Sequence, residues 1–184
     1  MSVVREIRPA GSSDLETLRD GSQVQLRVLR DHDEPALHTF LHGVSAESLR
    51  RRFCGATDLA RTATSLVRDC GADDLALVAE TGITADIVAH AASFRLGGTR
   101  AEVAFLVTDN WQGRGLGSLL LTRLVEHAQF QGITTLLAEV LPDNRAMIAV
   151  FERCGYPVAV RWDGHGAQVE IEVAPRMPVL VRAA

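Results

Sequence analysis

The run from Arg100 to Thr108 alternates in the manner of a strand and leads into Asp109-Asn110-Trp111-Gln112-Gly113-Arg114-Gly115-Leu116-Gly117. A leucine-rich segment then continues to Phe130. Across that join the apolar period changes from 2 to 3.6, so a strand must become a helix within a few residues. On the helical side, from about Ser118, Leu116, Leu120, Leu124 and Ala128 form an i+4 stripe reinforced by Leu119, Leu121 and Val125. That much leucine requires packing against a sheet. A strand feeding a glycine-rich turn that opens a helix is a device for anions. Glycines let backbone N–H groups approach, and the first helical turn adds unpaired donors and the positive end of its dipole. A diphosphate suits such a place, although an isolated match of this kind can equally be a tight connection and nothing more.

The spacing narrows the choice of diphosphate. Gly113-x-Gly115-x-x-Ser118 lacks the third glycine of a dinucleotide fingerprint, and a G-x-x-x-x-G-K-[ST] loop is excluded because all 19 basic side chains are arginine.

Around this centre the chain reads as one domain, the expectation for 184 residues. Leu15 to Arg19 and Val24 to Leu29 form a hairpin about Asp20-Gly21. Helical spacing follows over Asp33 to Gly43, Ser45 to Phe53 and Leu59 to Cys70, the last with Asp58 as N-cap. Leu75 to Glu80, Asp86 to Leu96 and Arg100 to Thr108 make an antiparallel meander punctuated by Thr81-Gly82 and Gly97-Gly98. After Gly132 come a strand from Thr134 to Leu141, a helix from Arg145 to Arg153, and strands from Tyr156 to Trp162 and Gln168 to Val173.

Charge and cysteine content exclude several classes. A net charge of -4 argues against nucleic acid as partner, since phosphate binding draws on a basic surface. No stretch is long and apolar enough to span a membrane, and Met1 to Asp14 lacks a signal core, so the cytoplasm is the expected compartment. Cys54, Cys70 and Cys154 are odd in number without metal spacing, as reduced core thiols would be. The six histidines show no metal spacing either, and His38 and His42 read as a solvated pair. No metal is expected.

Gln112-Gly113-Arg114-Gly115-Leu116-Gly117 matches the Q/R-x-x-G-x-G/A motif of the GNAT superfamily, in the strand-to-helix setting that family requires. Downstream, Asn144, Met147, Phe151 and Cys154-Gly155-Tyr156 resemble its second cofactor motif, and the likeness extends from about Val24 to Val173. Leu18-Arg19-Asp20-Gly21-Ser22, Val44 to Phe53 and Ala101-Glu102-Val103-Ala104-Phe105 resemble the bacterial Pat-type protein-lysine acetyltransferases, members of which modify acyl-CoA synthetases. The resemblance implies an α/β fold of the α+β type: a mixed, mostly antiparallel sheet, splayed at a cofactor groove and flanked by helices. It also implies residues 1–22 as an N-terminal extension and hairpin, 23–175 as the acetyltransferase domain and 176–184 as a peripheral tail. Acetyl-CoA is the implied co-substrate. Its pantetheine would pair with backbone at Phe105, Leu106 and Val107 and touch Asn144. Its pyrophosphate would rest on the N–H groups of Gly113, Arg114, Gly115, Leu116, Gly117 and Ser118, with Gln112 opening the motif.

The implied reaction is acetyl transfer to an amine, with a protein lysine as acceptor. A lysine is protonated at neutral pH and needs a base. Glu102 matches the family's catalytic glutamate. Strand alternation puts it on the face of Ala104, Leu106 and Thr108, and a carboxylate enclosed by Ala, Val and Phe is expected to hold its proton more tightly. The plain structural alternative is an exposed carboxylate paired with Arg100 or another arginine. Phe151 stands where many members place a proton-donating tyrosine, Tyr156 reads as core, and Asp109 as a loop-setting residue. Arg50-Arg51-Arg52 either meets an acidic partner or the cofactor's 3′-phosphate, or is a solvated helix face. Two alternative functions stay open: transfer to a small amine, and a non-catalytic CoA-binding sensor or interaction module.

Overall fold

The computed structural model describes residues 14–53, 57–68, 71, 73–82 and 85–174. The expected elements form in the expected order. The hairpin is β1 (Asp14–Thr17) and β2 (Gln23–Val28), and the helices after it are α1 (Glu34–His42), α2 (Ala46–Phe53) and α3 (Leu59–Arg68). The meander is β3 (Leu75–Thr81), β4 (Asp86–Gly97) and β5 (Arg100–Val107). Then come α4 (Leu116–Phe130), β6 (Thr135–Val140), α5 (Arg145–Glu152), β7 (Val158–Trp162) and β8 (Ala167–Glu172). All eight strands lie in one sheet of order β1-β2-β3-β4-β5-β6-β8-β7. Every neighbouring pair is antiparallel except β5 and β6. The expected boundary between residues 22 and 23 falls inside the β1–β2 hairpin, both of whose strands join this sheet. Cys54, Cys70 and the tail 176–184 lie outside the described residues.

The two sheet faces have separate covers. On one face the leucine stripe does what its period dictates: Leu116, Leu120, Leu124 and Ala128 are buried against Ala101, Val103 and Leu136, with Phe151 of α5 beside them. On the other, Leu37, Phe40 and Leu41 of α1 and Leu66 of α3 pack on Val78, Ile87 and Leu106. The start of α1 is pinned to the sheet by Arg27, whose guanidinium donates to Asp33 Oδ2 at 2.6 Å and to Glu80. Burial of this arginine is outweighed by its two carboxylates, which raise its pKa. Asp58 caps α3 as its position suggests, Oδ1 accepting from the N–H groups of Ala60 and Arg61 at 3.1 and 3.2 Å.

The parallel pair β5–β6 positions the site. It is in register only over Arg100↔Thr135, Ala101↔Leu136 and Glu102↔Leu137, and beyond Glu102 the strands part. The partner of β5 on its other side, β4, stays paired as far as Ala89↔Val107. A gap therefore opens along one edge of β5 while its other edge is held.

Candidate active site

The walls of this gap form a cavity of about 430 Å³ lined by β5, the glycine loop, the first turn of α4, β6 and α5. Its backbone chemistry follows from strand register. Thr108 N–H donates to Val88 O at 3.0 Å, so alternation along the antiparallel ladder turns the backbone of Leu106 toward β4 and that of Phe105 and Val107 toward the gap. Phe105, Leu106 and Val107 all line the cavity, but only the first and third present main-chain groups to it. Of these, Val107 O accepts from Gln112 Nε2 at 3.1 Å.

At the wide end, Gly113 and Gly115 adopt φ of 76° and 93°, the left-handed region that glycine tolerates best. Gly115 is the N-cap of α4 and no side chain caps it, so the helix begins two residues earlier than the sequence suggests and its first N–H groups are left for a ligand. A Cβ on Gly115 would lie 3.3 Å from Arg19 Cγ and Nε, so a side chain there would fill the cradle. Gln112, Gly113, Gly115, Leu116, Gly117 and Ser118 line the cavity, as does Asn144 on the far wall. Asn144 is also the N-cap of α5, its Oδ1 accepting from Met147 N–H at 3.3 Å, which leaves its amide NH₂ for other partners. Arg114 is not among the lining residues. Its guanidinium pairs with Asp20 at 3.2 Å and lies 4.7 Å over the Trp111 ring, tying the β1–β2 hairpin to the loop.

Glu102 sits at the narrow end, where β5 and β6 begin to part. It lines both this cavity and a second groove of about 250 Å³ on the open sheet face, shared with Arg100, Glu139, Arg161 and Glu170. Enclosure by Ala, Val and Phe was expected for it. The side chain is instead exposed. The expected competitor, an ion pair with Arg100, is not formed, and among the described residues nothing is paired with Glu102.

Side chains from distant parts of the chain complete the walls. Arg19, Ser48, Arg51 and Arg52 line the cavity; of these only Arg51 and Arg52 belong to a run, Arg50-Arg51-Arg52, that the sequence offers as a cofactor contact, at the 3′-phosphate. Asp109 sets the loop, as its position suggests: its carboxylate accepts from Ser45 N–H at 2.9 Å, Ser45 Oγ at 2.7 Å and Ser48 Oγ at 2.9 Å, fixing the start of α2 over β5. Burial pushes the Asp109 pKa up, but these hydrogen bonds outweigh it and hold the group below its ordinary value. The run Arg50-Arg51-Arg52 is not a plain solvated face. Arg50 pairs with Glu47 at 3.0 Å and with Asp143, and Arg51 with Glu47 at 2.9 Å and Asp143 at 3.7 Å, so α2 is tied to the loop after β6. Phe151 is buried with its ring 6.0 Å from that of Phe105 and carries no proton to give. Tyr156 is half-buried against the α4 side of the core, its hydroxyl accepting from Gln129 at 3.4 Å. His38 and His42 are exposed with ring centroids 4.5 Å apart, and no metal-like cluster occurs among the described residues.

The sequence model of the Acetyltransferase (GNAT) family matches residues 47–156, which span β5, the glycine loop, α4, β6 and α5. The chain belongs to the GNAT acetyltransferase family. GNAT enzymes use acetyl-CoA as co-substrate, and this cavity fits it: unpaired amides and an open glycine cradle at the wide end, strand backbone along the gap. The described fold superimposes on the GNAT domain of S. lividans PAT with a TM-score of 0.79 and 32% identity, covering 90% of this chain and 99% of that one. Acetyltransferase Pat of Mycolicibacterium smegmatis is 37% identical over 134 residues, which are 71% of this chain and 40% of Pat. The chain therefore spans less than half the length of that relative. The [ribosomal protein bS18]-alanine N-acetyltransferase of Salmonella typhimurium is 40% identical over 50 residues, 27% of this chain and 34% of that enzyme. No helix among the described residues is long and apolar enough to cross a membrane.

Proposed function

We propose that this chain is an N-acetyltransferase that moves acetyl from acetyl-CoA to a lysine side chain of a protein, by direct attack with Glu102 as general base. One observation carries the reading: Glu102 stands unpaired where the cofactor cavity meets a second groove on the open sheet face. An acceptor can approach through that groove without displacing the cofactor; Glu139 and Glu170 along it suit a cationic side chain, alongside Arg100 and Arg161. Glu102 takes the proton of the incoming ammonium. The amine nitrogen then bonds to the thioester carbon, the carbon–sulfur bond breaks with its electron pair left on sulfur, and the second proton of the attacking nitrogen passes to that thiolate or to water, giving the neutral amide and the CoA thiol. Backbone N–H at Phe105 or Val107, turned into the gap, stabilises the charge that develops on the carbonyl oxygen. The thiolate leaves without help from Phe151, since a thiol is far more acidic than an alcohol. The Pat-like segments around Glu102 and α2 direct the reading toward acyl-CoA synthetases as acceptors and the cytoplasm as compartment.

The test incubates the chain with labelled acetyl-CoA and, in parallel, a purified acyl-CoA synthetase, free lysine and spermidine. Label on a lysine Nζ of the protein, located by peptide mapping, is the expected result. Label only in a free amine would move the acceptor to a small molecule. Binding of acetyl-CoA with transfer to none of the three would favour a non-catalytic module.

A further inference from the structure

Arg19, Arg51, Arg52 and Arg153 line the cofactor cavity, Arg153 from the end of α5, and the commitments of those nearer the glycine loop differ. Arg51 is engaged by Glu47 and Asp143. Arg52 lies 4.7 Å over the Phe53 ring. Arg114, the one arginine inside the glycine motif, is not among the lining residues and is neutralised by Asp20. Arg19 is the contrasting case. It is exposed, and among the described residues no carboxylate pairs with it, yet its side chain does not stray into solvent. Its Cγ, Nε and Cδ lie 3.3 to 3.4 Å from where a Cβ of Gly115 would stand, so it rests along the cradle at the start of α4.

The backbone explains how a residue far away in sequence reaches this place. Leu18 is buried in the core and its N–H donates to Ser22 O at 2.8 Å, closing a tight hairpin turn. Asp20 Oδ1 accepts from Ser22 N–H at 3.0 Å within that turn, and the same carboxylate holds Arg114. Arg19 N–H donates to Arg114 O at 3.3 Å, which fixes its Cα beside the loop. Asp20 and Arg114 cancel each other while locking the hairpin down, and the guanidinium that lies against Gly115 is that of Arg19.

We propose that Arg19, delivered by the β1–β2 hairpin, is the side-chain counter-ion of the cofactor's diphosphate. The inference rests on the cavity being the acetyl-CoA site and adds to the backbone amides a cation they do not supply. A guanidinium can present two parallel donors to a phosphate, and charge-assisted hydrogen bonds are about twice as strong as neutral ones.

Isothermal calorimetry on the full chain tests this with acetyl-CoA, its dephospho form lacking the 3′-phosphate, and S-acetylpantetheine, which has no diphosphate. Arg19→Gln is expected to weaken acetyl-CoA and the dephospho form by a similar factor of about tenfold. It should leave S-acetylpantetheine unchanged and make acetyl-CoA binding less dependent on salt. Arg19→Lys keeps the charge without the fork and should fall between. Unchanged affinity for acetyl-CoA in Arg19→Gln overturns the assignment. So does a loss confined to acetyl-CoA and absent from the dephospho form, because that places Arg19 on the 3′-phosphate. An equal loss on S-acetylpantetheine also overturns it, by showing general damage to the cavity. Failure of the unaltered chain to bind acetyl-CoA would instead sink the cavity assignment itself.

Discussion

His90 and Glu102 project from the same face of the β4–β5 ladder, where the cross-strand pairs are His90↔Leu106 and Phe94↔Glu102. Their local sequences are alike, small or apolar residues on both sides: Ala89-His90-Ala91 and Ala101-Glu102-Val103. Yet His90 is 1% exposed and Glu102 lies open at the junction of two grooves. The cover makes the difference. Near His90, Phe40 and Leu41 of α1 and Leu66 of α3 close over Val78 and Leu106. Toward Glu102 the ladder runs to where β5 and β6 part, and the carboxylate lies on the groove shared with Glu139, Arg161 and Glu170. One strand pair thus carries a titratable group sealed out of chemistry and another free to take part in it. The enclosure expected for the glutamate has fallen on the histidine.

The strongest way to break the contrast is to neutralise its open member. Glu102→Gln is expected to cut turnover by about 10²-fold or more, the usual worth of a positioned general base. Acetyl-CoA affinity should hardly move, because the cradle lies at the other end of the cavity. Steady-state kinetics with calorimetry on the same preparation would check both. Turnover equal to that of the unaltered chain would remove Glu102 from the mechanism.

Glycines and periodicity made one end of this site legible in the sequence, and their silence about distant contacts hid the other. Gly113 and Gly115 signal a backbone feature, and a backbone feature is written in local residue types. The strand before them and the leucine stripe after them follow from local periods of the same kind. The roles of Arg19, Ser48 and Arg51 arise from a hairpin and a helix folding over residues some sixty or more positions away, and no local pattern records such a meeting. Arg114 lies inside the motif, yet its side chain is spent on the ion pair with Asp20, and no local pattern records that meeting either. Covering of His90 and baring of Glu102 were equally out of reach, because helix placement over a sheet is settled by packing.

The sealed member can be tested through acid stability. His90 has neither ring nitrogen hydrogen-bonded, and burial, with the Arg52 charge as the smaller cause, pushes its pKa from 6.5 down to about 3. The folded state then binds the proton less readily than the unfolded state across that window. Its contribution to stability is full above pH 6.5 and is lost progressively as pH falls toward 3. Linkage puts the loss between pH 6.5 and pH 5 at about 1.5 kcal/mol. His90→Leu should abolish this part of the pH dependence. At pH 7 it should stabilise by about 1 kcal/mol, since an apolar side chain of similar volume leaves no unpaired nitrogens. Urea titrations from pH 5 to pH 7 would show it. A variant as acid-sensitive as the parent would mean that His90 is not sealed.

The smallest effect concerns what holds part of the cover in place. Asp109 fixes the first turn of α2 through Ser45 and Ser48, and Gln112 joins by donating to Ser48 Oγ at 3.0 Å. Asp109→Asn keeps one acceptor oxygen and loses the charge. At pH 7 it should cost about 1 kcal/mol or less, discounted because the carboxylate is exposed. The sign of the pH dependence separates it from His90. Because the folded carboxylate titrates below its ordinary value of 3.8, its contribution is full above that value and fades as pH falls below it. The gap between parent and variant should therefore hold constant from pH 7 to pH 5, where the His90 contribution changes, and close only below about pH 4. Hydrogen exchange supplies the structural readout, since amides of α2 should exchange faster in Asp109→Asn while those of β4 around His90 keep their protection. Loss of protection at both would mean that α2 and the seal over His90 open as one unit, and the two ends of this sheet face would no longer be independent.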